Sequence, residues 1–378
     1  MGKNKNKNHN QNQKQKNKNV KTNSSVPVPV SVVAPAINPA IAKLPFVSVC
    51  TPTFNRRPFI PMMIQCFQHQ TYPKERIEWI IVDDGTDKIE ELVKHIPQVK
   101  YLKYDKKMTL GSKRNAMNDA AKGDIIVYMD DDDYYPPERI SHAVERLTQT
   151  PNALCAGSSA MFIFFKHINK MYQFGPYGPN HATAATFAFK KELLRITRFN
   201  ESSAVAEEKQ FLKDYTIPFV QLDPKKSILV FSHEHNSFDK KELLKQMPNP
   251  TINDTSIIPT DLVFEKDILQ FFMHDIDDLL KNYDFGKVEH KKDVTKQLEE
   301  IKIKREQMMR DQQNQQQNVQ NVLNQQHQQI NQLQLENNHL KNQIIYLENK
   351  MRELIQEKIQ EKQREKQKEQ ILQIEELK

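Results

Sequence analysis

The chain has 378 residues, a formal net charge of +7 and 38% hydrophobic residues. That is length for one large domain or two, with an apolar share low enough to leave part of the chain outside any core. Three widely separated cysteines (Cys50, Cys66, Cys155) exclude a disulfide framework and a zinc-finger spacing, and no run approaches the ~20 apolar residues of a membrane span.

Residues 1 to about 24, nearly all Asn, Lys and Gln, cannot bury enough apolar area to order themselves. Residues 25 to about 44 alternate Val, Pro and Ala, which predicts an extended linker. No apolar h-region follows Met1, so a cytoplasmic location is expected. The lysine-rich ends come without aromatic stacking platforms, which argues against nucleic-acid binding. The Asn, Lys, Gln and Ile bias is that of an AT-rich coding sequence, as in large DNA viruses, where a virion or viral factory would be the location.

From Pro45 the pattern changes. FVSVCT (46–51), WIIVDD (79–84) and DIIVYM (124–129) are apolar strand runs, and VKYLKY (99–104) alternates as a strand. Between them, 56–70, 89–96, 111–123 and 136–147 carry helical spacing. Strands alternating with helices predict a parallel α/β sheet, and acids at strand ends fall on the carboxyl edge, where such folds bind ligands. Beyond 150, ALCAGSSAMFIFF (153–165), ATFAF (185–189), FVQLD (219–223) and SILVFSHEH (227–235) read as strands. SAVAEEKQFLKDY (203–215) and KKELLKQM (240–247) read as helices, and 248–294 as a connecting segment.

From about 295 the chain is polar and helical, without proline or glycine. A heptad places Leu323, Ile330, Asn337, Ile344 and Met351 at a, and Leu333, Leu340, Leu347 and Leu354 at d. Branched residues at a with leucine at d favour a two-stranded parallel coiled coil, one buried Asn fixes its register, and Glu336 at g faces Lys341 at the next e. A homodimer through residues 295–378 is therefore expected.

IIVYMDDDDYYPP (125–137) places four aspartates directly after an apolar strand. Two like charges about 4 Å apart repel by roughly 4 kcal/mol at an effective dielectric near 20. Either the run is a solvated acidic turn, or it holds a cation and through it a polyanion. If the strand continued through the run, Asp130 and Asp132 would point to one side and Asp131 and Asp133 to the other.

Four segments stand in order: VSVCTPTFNRRPF (47–59), IIVDDG (80–85), LGSKRNAMNDAAKGDIIVYMDDDDYYPPERI (110–140), and AEEKQFL (206–212) followed by VFSHEHNS (230–237). Over about 45–240 the chain resembles a family 2 glycosyltransferase with the GT-A fold. The resemblance implies a Rossmann-like nucleotide-diphospho-sugar transferase domain over 45–247. It implies Mn²⁺ or Mg²⁺ between carboxylates and the donor diphosphate, with Asp132 as first choice of ligand, Asp130 beside it, and Asp130 or Asp131 near the ribose. Asp133 would sit behind the site or cap the next helix. Thr51, Pro52, Phe54 and Asn55 would pack around base and ribose. Asp84 would accept the base imide hydrogen, which favours a UDP-linked donor, and Lys113 and Arg114 would meet phosphate at a helix start. Glu208 would be the base that deprotonates the acceptor, with Glu207 the alternate, and His233, rather than His235, would reach the metal or diphosphate. The resemblance implies an inverting enzyme acting on an acceptor hydroxyl or amine. The processive synthases' Gln-x-x-Arg-Trp motif and membrane helices are missing from the sequence, whose only tryptophan is Trp79, so single-sugar transfer is expected. Two other readings stay open: a sugar nucleotidyltransferase, whose glycine-rich first loop TPTFNRR lacks, and a catalytically inactive nucleotide-binding coiled-coil scaffold.

Overall fold

The computed structural model describes residues 38–245 and 247–376; the Asn/Lys/Gln-rich segment and most of the expected linker lie outside them. The chain forms two units, divided between Leu44 and Pro45. Of the first, the described part holds one short helix, α1 (Pro39–Ala42), whose first turn is capped by the Asn38 side chain accepting from the Ala40 amide.

The second unit runs β1 (Val47–Thr53), α2 (Ile60–Gln68), β2 (Ile77–Asp83), α3 (Glu90–Val93), β3 (Val99–Lys103), α4 (Leu110–Ala120), β4 (Ile125–Tyr128) and α5 (Arg139–Gln149). It continues β5 (Cys155–Gly157), β6 (Met161–Phe165), β7 (Lys170–Phe174), β8 (Ala188–Lys190), α6 (Glu208–Phe211), β9 (Phe219–Gln221) and β10 (Leu229–Phe231). Last come α7 (Lys241–Leu244), β11 (Ile252–Asp254), α8 (Lys266–Gln270), α9 (Ile276–Lys281) and α10 (Lys292–Glu376). One sheet has the order β3-β2-β1-β4-β8-β5-β9 and a second β10-β6-β7-β11. Strands β1 to β4 are parallel, and β8 enters antiparallel between β4 and β5. Every residue of β1 and β4 is buried, as expected for parallel strands covered on both faces. Trp79 in β2 stacks on Phe67 of α2 at 4.1 Å, and its indole N–H donates to the Thr51 hydroxyl at 2.9 Å. A buried indole needs such a partner.

Three expectations are corrected, and one strand is added. ALCAGSSAMFIFF is two strands in different sheets, because the chain bends at Ser158–Ala160. The helix expected over 203–215 shrinks to α6, since Ala206 and Lys213–Tyr215 adopt positive φ, which an α-helix excludes. Lys170–Phe174, unassigned from sequence, is a strand. The segment 248–294 is not a mere connection. β11 pairs with β7, Phe272 stacks on Phe231 of β10 at 4.8 Å, and Phe271, Ile276 and Leu280 are buried. The expected C-terminal helix is present as α10, and its side chains are exposed from Lys302 to Leu372.

Candidate active site

Three carboxyl-edge segments of the large sheet meet at one cavity of about 180 Å³. The end of β1 supplies Pro52, Phe54 and Arg56, and the turn after β4 supplies Asp130, Asp131 and Asp132. Lys107, Met108, Leu110 and Lys113 come from the loop into α4 and its first turn, and Ala204, Val205, Ser237, Lys291, Asp293 and Val294 close the far side.

The aspartate run is positioned by its neighbours. Arg139, fully buried in α5, donates through one guanidinium nitrogen to the carbonyls of Tyr128, Thr186 and Phe187 at 3.2, 2.8 and 2.9 Å. The Asp130 amide donates to the Tyr135 hydroxyl at 2.7 Å, which donates on to the Ala185 carbonyl at 3.2 Å. β4 ends at Tyr128, so the run is a turn and strand alternation does not apply. Asp130, Asp131 and Asp132 line the same cavity, contrary to the two-sided expectation.

The cost of four adjacent carboxylates is met unevenly. Asp132 accepts from the Arg56 guanidinium at 3.0 Å and lies 3.3 Å from His233 Nε2. Burial alone would raise its pKa, but Arg56 and His233 hold it well below the usual carboxylate range. Burial and the Asp132 charge push Asp131 up to about 7, with Arg56 Nε at 3.6 Å opposing the shift. The same two causes raise Asp133, and burial raises Asp130 against the pull of Arg114. One oxygen each of Asp130, Asp131 and Asp133 is buried without a hydrogen-bond partner. His233 is held neutral, its pKa pushed down to about 3 chiefly by burial. The His235 ring instead faces Tyr283 at 6.2 Å, while its carbonyl accepts from Arg56 at 2.8 Å.

This donor set fits a hard divalent cation in part. Among the described residues no three His, Cys, Asp or Glu side chains form a ready-made cage. Buried carboxylate oxygens without hydrogen-bond partners are nevertheless the ligand chemistry such an ion takes; of the neutral His233 ring, Nε2 already meets the Asn236 side-chain amide at 2.7 Å and Nδ1 has no partner among the described residues. Mg²⁺ commonly binds through one or two carboxylates, with substrate phosphates and water completing its shell.

The remaining residues singled out from sequence separate into two groups. Pro52 and Phe54 reach the cavity, and the Lys107 and Lys113 ammonium groups lie 5.2 and 5.7 Å from the centre of the Phe54 ring. Thr51 and Asn55 do not reach it. The Thr51 hydroxyl is spent on Trp79. The Asn55 side chain, on a residue with φ of 54°, accepts from the Asp87 amide at 2.9 Å and donates to the Phe285 carbonyl at 3.0 Å. Asp84 lies buried beneath the cavity floor, one oxygen on Lys113 at 2.8 Å and the other on the Met108 amide at 2.5 Å. Asp84 is thus not free at the cavity to accept a base imide hydrogen, contrary to expectation, and Lys113 reaches the cavity already paired.

Arg114 is buried, 2.7 Å from Glu207 and 3.8 Å from Asp130, with its guanidinium 4.5 Å from the Tyr128 ring centre. Burial opposes its charge, but Glu207 and Asp130 more than offset this and raise its pKa. Glu207 is thus locked in an ion pair, whereas Glu208, at the start of α6, is pushed up to about 7 by burial and then by the Glu207 charge. The segment before α6 is anchored on α4. Gly111 approaches so closely that a Cβ there would lie 2.0 Å from the Asn200 carbonyl oxygen, and the Asn115 side chain bonds both the amide and the carbonyl of Phe199.

Sequence reasoning missed Arg56 and Lys291. Arg56 sits inside the quoted TPTFNRR run, where two adjacent arginines offered a signal, but Lys291 stands in no motif.

A seven-stranded mixed α/β sheet with an acid-lined cavity at its carboxyl edge is the GT-A architecture. Residues 48–205 match the family model described as glycosyl transferase family 2, and that segment is a family 2 glycosyltransferase domain. The chain is 29% identical over 179 residues to the GalNAc(5)-diNAcBac-PP-undecaprenol beta-1,3-glucosyltransferase of Campylobacter jejuni, covering 42% of this chain and 56% of the relative. It is 30% identical over 101 residues to the poly(ribitol-phosphate) beta-N-acetylglucosaminyltransferase of Staphylococcus aureus, covering 25% and 18%. Among solved structures, a mannosyltransferase of Pyrobaculum calidifontis in complex with GDP-Man and Mn²⁺ is similar at 18% identity and a TM-score of 0.42, over 51% of this chain and 59% of that one. The chain therefore spans little more than half the length of these relatives at most. Among the described residues no helix is long and apolar enough to cross a membrane.

Proposed function

We propose that the chain is an inverting, metal-dependent, non-processive glycosyltransferase that moves a sugar from a UDP-linked donor to an acceptor hydroxyl or amine. The observation that carries this reading is the pair of buried Asp130 and Asp131 oxygens without hydrogen-bond partners at the strand-end cavity of a family 2 domain. Asp132, Asp130 and His233 would hold the Mn²⁺ or Mg²⁺ ion. When bound, that ion neutralises charge developing on the departing diphosphate. Arg56 fixes the Asp132 carboxylate, and Pro52 and Phe54 offer the apolar wall for base and ribose. Glu208 takes the acceptor proton, and a carboxyl group tuned toward neutrality suits a base working near pH 7. Calorimetric titration of UDP with and without Mn²⁺ tests the site. Binding that needs the ion and disappears in Asp132→Ala is the expected result. No binding of UDP in either condition would leave a coiled-coil scaffold as the better reading.

We further propose that α10 pairs with a second copy as a parallel coiled coil. Leu323, Ile330, Leu333, Leu340, Ile344, Leu347, Met351 and Leu354 are all more than half exposed on a single helix. An apolar a/d stripe of this length is buried by a partner helix at contacts of knobs into holes. Light scattering should give twice the chain mass, and the combined Leu340→Asp and Leu347→Asp variant should give the monomer mass. A monomeric wild type would refute the dimer.

A further inference from the structure

We infer that Lys291, the residue just before α10, is a donor-binding cation that faces the diphosphate of the nucleotide sugar. The inference rests on the glycosyltransferase reading above, and it places part of the donor site outside residues 48–205.

Four cations line the cavity: Arg56, Lys107, Lys113 and Lys291. Arg56 is committed to Asp131 and Asp132, Lys107 to Asp293, and Lys113 to Asp84. Among the described residues, only Lys291 of the four has no carboxylate at ion-pair distance. Its ammonium donates to the Ser237 hydroxyl at 3.1 Å and the His235 carbonyl at 3.4 Å. When protonated it has three N–H donors, so one is left over at the cavity wall.

The position is unfavourable to a cation on three grounds. The residue is 4% exposed, and a buried charge without a partner is expensive. Burial, followed by the Arg56 charge, pushes its pKa down to about 6. It also precedes the amino end of an 85-residue helix, whose dipole disfavours positive charge there. A diphosphate entering the cavity opposes all three, because it brings negative charge to the one lining cation without a carboxylate at ion-pair distance.

The rest of the helix start holds Lys291 in place. Asp293 pairs with Lys107. The Gln297 side chain accepts from the Ala204 amide at 2.8 Å and donates to the Ser202 carbonyl at 2.5 Å, fastening α10 to the loop that leads to Glu207 and Glu208. The cavity wall is thus assembled only when the first turns of α10 are docked.

The test is calorimetric titration of UDP and of UMP, with Mn²⁺ present, into the full-length wild type and the Lys291→Met and Lys291→Arg variants. A charge-assisted contact to the second phosphate predicts that Lys291→Met loses about 10- to 100-fold in UDP affinity. UMP affinity should change less than about threefold, and Lys291→Arg should restore most of the loss. The melting temperature of Lys291→Met should be no lower than that of the wild type, since a buried, unpaired amine is removed. UDP and UMP affected equally, UDP affinity unchanged, or a lowered melting temperature with unchanged affinity would each overturn the assignment. Failure of the wild type to bind either nucleotide would instead overturn the donor reading on which it rests.

Discussion

Glu208→Gln is expected to lower kcat by about 10²- to 10⁴-fold while leaving UDP affinity within a few-fold of wild type. The substitution keeps the size of the side chain and removes only the carboxylate proposed to accept the acceptor's proton. In the wild type, kcat/KM should rise with pH through about 7, because the base must be ionised and burial with the neighbouring Glu207 charge holds its pKa there. Stability should move the other way. The folded form binds the proton more tightly than the unfolded chain, so between the ordinary glutamate range and about 7 it carries more protons, and stability falls as pH rises. Glu208→Gln abolishes that penalty and should be at least as stable as the wild type at pH 8. A variant retaining more than about a tenth of wild-type kcat would remove Glu208 from the base role, since proton transfer by a positioned base contributes at least 10²-fold. Glu207 would be a poor substitute, tied as it is to Arg114 at 2.7 Å.

The parts of this site that were legible in the sequence are those whose signal is local. β1, β2 and β4 are buried on both faces, so their apolar runs and the acids that end them can be read directly. The aspartate run announced itself by its own composition. Side-chain direction within it did not, because the strand stops at Tyr128 and a turn has no two-residue period. Thr51 stands in a motif-like segment, yet Trp79, 28 residues later, takes its hydroxyl, and only tertiary packing reveals that. Apolarity alone also fails to say which sheet a strand joins, hence the splitting of 153–165. Phe271, Phe272, Ile276 and Leu280 bury short helical turns against β10 that sequence spacing left as a connection. Lys291 illustrates the limit of motif reading. It is one lysine among many in a lysine-rich region, and what sets it apart is that the fold carries it into the cavity lined by Asp130, Asp131 and Asp132.

Arg114→Met is expected to destabilise the domain by about 3–5 kcal/mol, the range for breaking a buried ion pair from one side. Arg114 and Glu207 are both almost completely buried, so removing the guanidinium strands a carboxylate where water cannot reach it. Methionine fills part of the volume over Tyr128 and Phe199, where the guanidinium carbon now lies 4.5 and 5.8 Å from the ring centres, so the loss reflects charge more than a cavity. Glu207→Gln alone should also be destabilising, because the buried cation is left with only the more distant Asp130 at 3.8 Å. The double variant is the decisive comparison. With both charges gone the remaining cost should be well below the sum of the single effects, as expected when a buried pair is replaced by neutral groups of similar volume. Denaturant unfolding of the four proteins measures the cycle. Additive losses, or an Arg114→Met loss under about 1 kcal/mol, the range of an exposed surface pair, would mean that the ion pair does not hold α4 against the Glu207–Glu208 segment. The same pair then could not be what fixes the position of Glu208 at the start of α6.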